Sequence, residues 1–206
     1  MPDYHIPLLP DHSYHILGRA IGNEKIIREE MNYLFLLEKY NKHVQPVADT
    51  FSYCLLPDHF HFSVRIKNII ELESHFKKKK PQKVFNPDLV PDFIMERFSN
   101  WLNSYTKAFN KTYDRKGSLF IDYLSRAEIQ NKKQIAATTF YIHKNPVHHS
   151  YCKSMEEWHW SSYNTLLGNA TTFLLQKEVL EWFDGKDDFI NFHQQPAFLK
   201  DAVIIE

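Results

Sequence analysis

The 206-residue chain reads as an α+β protein. Its expected core is a ferredoxin-like βαββαβ antiparallel sheet, followed by an additional helix carrying a candidate tyrosine and by a C-terminal tail. Three observations point there. Residues 59–67 alternate strictly between two kinds of side chain, as a strand does. Two stretches repeat apolar residues at helical spacing. The segments follow one another as strand, helix, strand, strand, helix, strand, helix.

Tyr14 to Ile21 reads as the first strand, closed by Gly22. Asn23 is placed to cap a helix starting near Glu24, with Ile27, Met31, Leu34 and Phe35 on its buried face. Phe51 to Leu56 is apolar and aromatic, hence a strand, and Pro57-Asp58 turns it into the alternating strand His59 to Lys67. Pro81 to Pro91 holds three prolines and reads as a loop. Ile94, Phe98, Trp101, Tyr105 and Phe109 define the second long helix, and Gly117 ends that region. Leu119 to Ile129 reads as the fourth strand. Asn131 to about Lys144 reads as the third helix, with Asn131 and Gln134 placed as a variant capping box. Residues 1–150 are expected to form the catalytic domain, and residues 151–206 a tail of short helices packing on it.

Composition narrows the class. The chain is 43% hydrophobic, 24% charged and 15% aromatic, which is globular rather than disordered. It is long enough to bury a core without disulfides or structural metals. Cys54 and Cys152 lie too far apart for a paired-cysteine zinc motif and read as reduced thiols. The first ten residues lack the basic start and apolar run of a signal peptide. No apolar run approaches the ~18 residues of a membrane span. A cytoplasmic protein without a membrane partner is expected.

His59, His61, Ser63, Arg65 and Lys67 share one face of the alternating strand, and Phe60, Phe62, Val64 and Ile66 the other. The apolar face belongs under the helices. Two imidazoles two residues apart on one face can chelate a metal ion and leave positions open, as catalysis requires. A solvated polar face is the competing reading. In the third helix, Tyr141 and Asn145 are four apart and share a face, with small Ala137 and Thr138 one turn earlier. A phenol facing a metal-bearing strand can act as a nucleophile, and the Asn145 amide can add an oxygen. Packing is again the alternative, since the chain has 11 tyrosines. The pair His148-His149 reads as surface.

Leu55-Leu56-Pro57-Asp58-His59-Phe60-His61-Phe62 resembles the His-hydrophobic-His (HUH) motif of single-tyrosine transposases. Tyr141-Ile142-His143-Lys144-Asn145-Pro146-Val147 resembles that family's tyrosine-bearing helix. Tyr105 to Asn110, followed by Gly117-Ser118-Leu119-Phe120, is similar to its middle segment. Trp158-His159-Trp160-Ser161-Ser162-Tyr163 is similar to the tail of the REP-associated branch. The resemblance runs over roughly residues 10–165, and the order and spacing of its parts are what make it specific.

The resemblance implies a divalent cofactor, magnesium or manganese, held by His59 and His61, with Asn145 where the family places an amide ligand, often Gln. It implies Tyr141 as the nucleophile on single-stranded or hairpin DNA. The products would be a 5′-phosphotyrosine link and a free 3′-hydroxyl, rejoined later by another 3′-hydroxyl. A monomer or a homodimer is expected.

The zero net charge, taken as a sum, argues against a DNA partner. Its distribution does not. Residues 1–59 hold 5 basic and 8 acidic residues, residues 60–143 hold 15 and 8, and residues 144–206 hold 5 and 9. The basic middle supplies the candidate phosphate contacts: Lys77, Lys78, Lys79, Lys80, Lys107, Lys111, Arg115, Lys116 and Arg126. Two other functions compete with the transposase. One is a domesticated DNA-binding relative with little catalysis. The other is an unrelated metal-dependent hydrolase using His59 and His61.

Overall fold

Four strands form one sheet: β1 (Ser13–Arg19), β2 (Ala48–Leu55), β3 (His59–Ile66) and β4 (Ser125–Ile129). They stand in the order β2-β3-β1-β4, and every neighbouring pair is antiparallel. This is the order a βαββαβ chain adopts when each crossover skips one strand. The computed structural model describes residues 5–121, 124–195 and 201–205.

Helices α1 (Glu30–His43) and α3 (Val90–Thr112) cover one face of the sheet. Phe62 stacks on Tyr40 of α1 at 4.3 Å, and Phe60 lies 4.8 Å from Trp101 of α3. Each such ring, fully buried, contributes about 1.5–3 kcal/mol. Gly18 on β1 makes room for one of them. A Cβ there would sit 2.1 Å from Phe60 Cζ, so only glycine lets that ring lie across the strand.

Helix α1 begins at Glu30, not near Glu24. The side chain of Asn32 accepts from the backbone N–H of Arg28 at 2.8 Å and of Glu29 at 3.2 Å, tying off that end. Its buried residues are Tyr33, Leu36 and Tyr40, whereas Met31 and Leu34 face solvent. Ile27 is buried, but from the preceding loop. Residues 31–37 are apolar nearly all round, so two faces are equally periodic and tertiary packing decides between them.

The lysine run does sit beside the 81–86 loop, but it is helical rather than part of that loop. It closes a further helix, α2 (Ile69–Lys79), capped by Asn68, whose side chain accepts from Glu71 N at 3.0 Å. Lys77, Lys78 and Lys79 occupy its last turn, where cations complement the helix dipole. Helix α3 starts inside the expected loop, with Pro91 in its first turn. The fourth strand is shorter than expected. Phe120 bridges Ala20, but regular pairing begins only at Ser125, and Asp122 and Tyr123 lie outside the described residues.

Helix α4 (Lys132–His148) covers the opposite sheet face, packing on β2 and β3. The histidine face of the sheet is therefore covered by the helix that carries Tyr141. Asn131 caps α4 by accepting from Gln134 N at 3.0 Å, and the Gln134 side chain accepts from Gln130 N at 2.8 Å. The helix continues through Pro146, beyond its expected end at Lys144. Pro146 lacks an N–H, yet His149 N still reaches Asn145 O at 3.0 Å, so the last turn holds.

Three short helices follow: α5 (Tyr163–Leu167), α6 (Gln176–Glu181) and α7 (Lys186–Gln194). They are pinned to β2 through Leu55 N on Trp160 O and Leu175 N on Thr50 O, both 2.9 Å. A buried polar wire ties α7 to α4. His193 Nδ1 donates to Phe189 O at 2.8 Å, His143 Nδ1 donates to His193 Nε2 at 3.0 Å, and Ser162 Oγ donates to His143 Nε2 at 2.7 Å. Among the described residues no helix is long and apolar enough to cross a membrane.

Candidate active site

Three elements meet in one place. β3 supplies His59 and His61, α4 supplies Tyr141 and Asn145, and β1 supplies His15. Register explains the last of these. Leu17 pairs with His61 and His15 with Ser63, so His15 shares the His61 face one step along the neighbouring strand. The Tyr141 ring lies 5.6 Å from His61 and 5.8 Å from His15. His59 and His61 are 5.1 Å apart, ring to ring.

The hydrogen bonds fix the tautomers. A carbonyl only accepts, so His15 Nδ1 donates to Val203 O at 2.6 Å. Burial pushes the His15 pKa down to about 4, so at neutral pH its Nε2 bears a lone pair. That lone pair accepts from His61 Nδ1 at 2.9 Å. His61 Nε2 is left as a donor atom for a metal. Burial, then the neighbouring His15 and His59, hold the His61 pKa well below the usual range, which keeps the ring neutral.

His59 is fixed from the other side. Its Nδ1 donates to Asp58 Oδ1 at 2.8 Å, and its Nε2 stands 3.2 Å from Asn145 Oδ1. The imidazole nitrogen and the amide oxygen are both atoms that a shared cation can use. Among the described residues no group of three or more His, Cys, Asp or Glu side chains is placed to hold a metal. The third donor here is an amide. Two imidazoles and an amide oxygen fit a divalent cation with open positions, and Asp58 is the carboxylate that orients a ligating histidine.

The site is closed to solvent. His61 is 1% exposed and Tyr141 7%. Residues 201–205 lie across it: Val203 N donates to Thr138 Oγ1 of α4 at 3.0 Å, and Ala202 and Ile204 pack on Tyr141, Ile142, Cys54 and Leu56. Lys133 Nζ holds Asp201 at 2.9 Å.

The basic residues lie elsewhere. Lys77 to Lys80, Lys107 and Lys111 belong to α2, α3 and their ends, in the helical layer on the far side of the sheet. Lys77 pairs with Glu73 at 2.7 Å, and Lys80 pairs with Glu96. Lys78, Lys79, Lys107, Lys111 and Lys116 are exposed. Arg115 clamps its own loop, donating to Glu24, Asn110 and the Ser118 carbonyl. Arg126 is buried, and its guanidinium donates to the carbonyls of His5, Ile6 and Leu124.

Two residues escape the sequence reading. His15 carries no motif, and only the β1–β3 register brings it to His61. His149, read as plain surface, is exposed but lies 5.1 Å from the His59 ring.

A solved REP-associated tyrosine transposase bound to a REP hairpin superposes with a TM-score of 0.60, over 84% of this chain and 94% of that one, at 15% identity. The chain has the fold of a REP-associated tyrosine transposase. No family model and no curated protein matches it by sequence. In this chain, the sheet order and the helix crossing the histidine face are the features that build the site described above.

Proposed function

We propose that the chain is a metal-dependent DNA endonuclease and strand transferase acting on single-stranded or hairpin DNA. The observation that carries this reading is the convergence of Tyr141, His61, His59 and Asn145 from two elements onto one enclosed face. The DNA-bound state of the transposase sharing this fold supports a hairpin as the partner.

A magnesium or manganese ion bound by His59, His61 and Asn145 would supply Lewis-acid polarisation of the scissile phosphate. The remaining work falls to the chain itself. Helix α4 aims the Tyr141 phenol across His61. The phenol oxygen gives up its proton and bonds phosphorus, the phosphorus–O3′ bond breaks in line, and the departing 3′-oxygen takes up a proton. The link is a 5′-phosphotyrosine that conserves bond energy, so a second 3′-hydroxyl can reverse the step without ATP. His15 and Asp58 hold both imidazoles in their ligating tautomers. The exposed lysines Lys78, Lys79, Lys107, Lys111 and Lys116, across the sheet from Tyr141, would hold phosphates of DNA lying outside the cleavage site. We read residues 1–150 as the catalytic unit and 151–206 as its tail, working in the cytoplasm.

A second reading, hairpin binding with little cleavage, is favoured by one observation: residues 201–205 shut the site. A suicide hairpin oligonucleotide with manganese separates the two. The nuclease reading expects a covalent adduct. Tight binding without an adduct, in the full chain and after residues 201–206 are removed, supports binding alone.

A further inference from the structure

A row of aromatic rings leaves the site along the surface. The His149 ring is 5.1 Å from His59, Tyr151 is 6.4 Å from His149, and Trp158 is 5.5 Å from Tyr151. Tyr33 meets Trp158 edge-on at 6.4 Å and stacks on Trp160 at 4.3 Å, with planes 7° apart. The row ends in an open cleft of about 940 Å³ lined by Tyr33 and Trp160 and edged by Pro57, Lys25 and His159. Pro57 directly precedes Asp58 and His59, so cleft and site share one turn.

Tyr33 belongs to the buried face of α1, and the other rings of the row reach the surface. Tyr151 is 44% exposed, His149 and His159 are exposed, and Trp158 and Trp160 are partly so. The local charge is mixed. Glu24, Glu29 and Glu30 edge the cleft beside Lys25 and Arg28. Arg28 already lies over the Tyr113 ring at 4.7 Å. Such a surface attracts through ring faces rather than by neutralising phosphates. Unpaired bases are the ligands that offer matching faces, and stacking on them is sequence-tolerant.

We propose that this row is a stacking platform for the unpaired bases of a DNA strand running from His59 towards the cleft, with bases inward and phosphates outward. The inference rests on the nuclease reading of the site and names the surface that holds the strand beyond the scissile phosphate. Tyr151 stands between His149 and Trp158 and is 44% exposed.

The test uses the full chain and two probes: a blunt DNA hairpin, and the same hairpin with an unpaired extension of about six nucleotides at either end. Tyr151→Ala should weaken binding of the extended hairpin about tenfold and leave the blunt hairpin within about twofold. Tyr151→Trp should restore the extended complex. Tryptophan fluorescence should be quenched by the extended probe alone. Wild-type affinity of Tyr151→Ala for the extended hairpin, or equal weakening on both probes, overturns the platform. If the wild-type chain cuts hairpins but gains nothing from an extension, the platform fails and the nuclease reading survives. If it binds neither probe, both fail.

Discussion

His61 takes its tautomer from His15: the two imidazole nitrogens are 2.9 Å apart, and His15 is itself oriented by the Val203 carbonyl at 2.6 Å. The relay joins three parts of the chain distant in sequence and reaches the His61 ring only because β1 and β3 are neighbours. Replacing His15 with Ala should weaken manganese binding about 10- to 100-fold, the usual effect of losing a ligand's outer partner. Isothermal titration of the metal measures this. Unchanged affinity in a folded His15→Ala protein removes the relay from the account.

Asn145 would be the amide donor of the proposed metal site, and its chemistry can be graded. Asn145→Asp places a carboxylate beside His59 and should tighten manganese binding roughly tenfold, whereas Asn145→Ala should weaken it roughly tenfold. Paramagnetic resonance of bound manganese reads both. Equal affinities across the three proteins would take Asn145 out of the donor set.

Residues 201–205 must move before DNA reaches Tyr141, since they pack on that ring and bond both His15 and Thr138. Thr138→Val removes the bond from Val203 N and leaves the Val203 carbonyl on His15, so it should speed adduct formation about tenfold, matching the net worth of one lost hydrogen bond. The rate of adduct formation on one suicide hairpin is the measure. A slower or unchanged rate in a folded Thr138→Val protein means the segment does not gate the site.

The wire from Ser162 through His143 to His193 sets an acid limit on stability. Burial lowers the His193 pKa to about 4 and holds His143 well below the usual range. The unfolded chain therefore binds protons that the folded one resists. Stability is complete above about pH 6.5 and falls as pH drops towards 4, by about 3 kcal/mol for His193 alone. Urea unfolding at a series of pH values tests this, and a flat profile between pH 7 and 4 contradicts it.

Much of this was legible before the fold was known, for physical reasons. The β3 strand announces itself because its alternation is strict, and α4 because Tyr141 and Asn145 fall one turn apart. The ferredoxin-like order follows from such local patterns. What escaped depends on distant contacts. His15 is one histidine among 12 until the strand register places it. Helix α2 buries only Leu72, so it has no apolar stripe to read, and its lysines read only as a charged run beside a loop. The start and buried face of α1 were misjudged because its apolar residues wrap the whole helix. Arg126 looked like a phosphate contact in a basic segment, but its guanidinium is buried among backbone carbonyls.

The central claim is that Tyr141 becomes covalently joined to DNA. The most direct measurement is peptide mapping by mass spectrometry after reaction with a suicide hairpin oligonucleotide in manganese. The account predicts a nucleotide adduct on the peptide containing Tyr141, lost in Tyr141→Phe while hairpin affinity stays within about twofold. An adduct on any other residue, or one that persists in Tyr141→Phe, contradicts it.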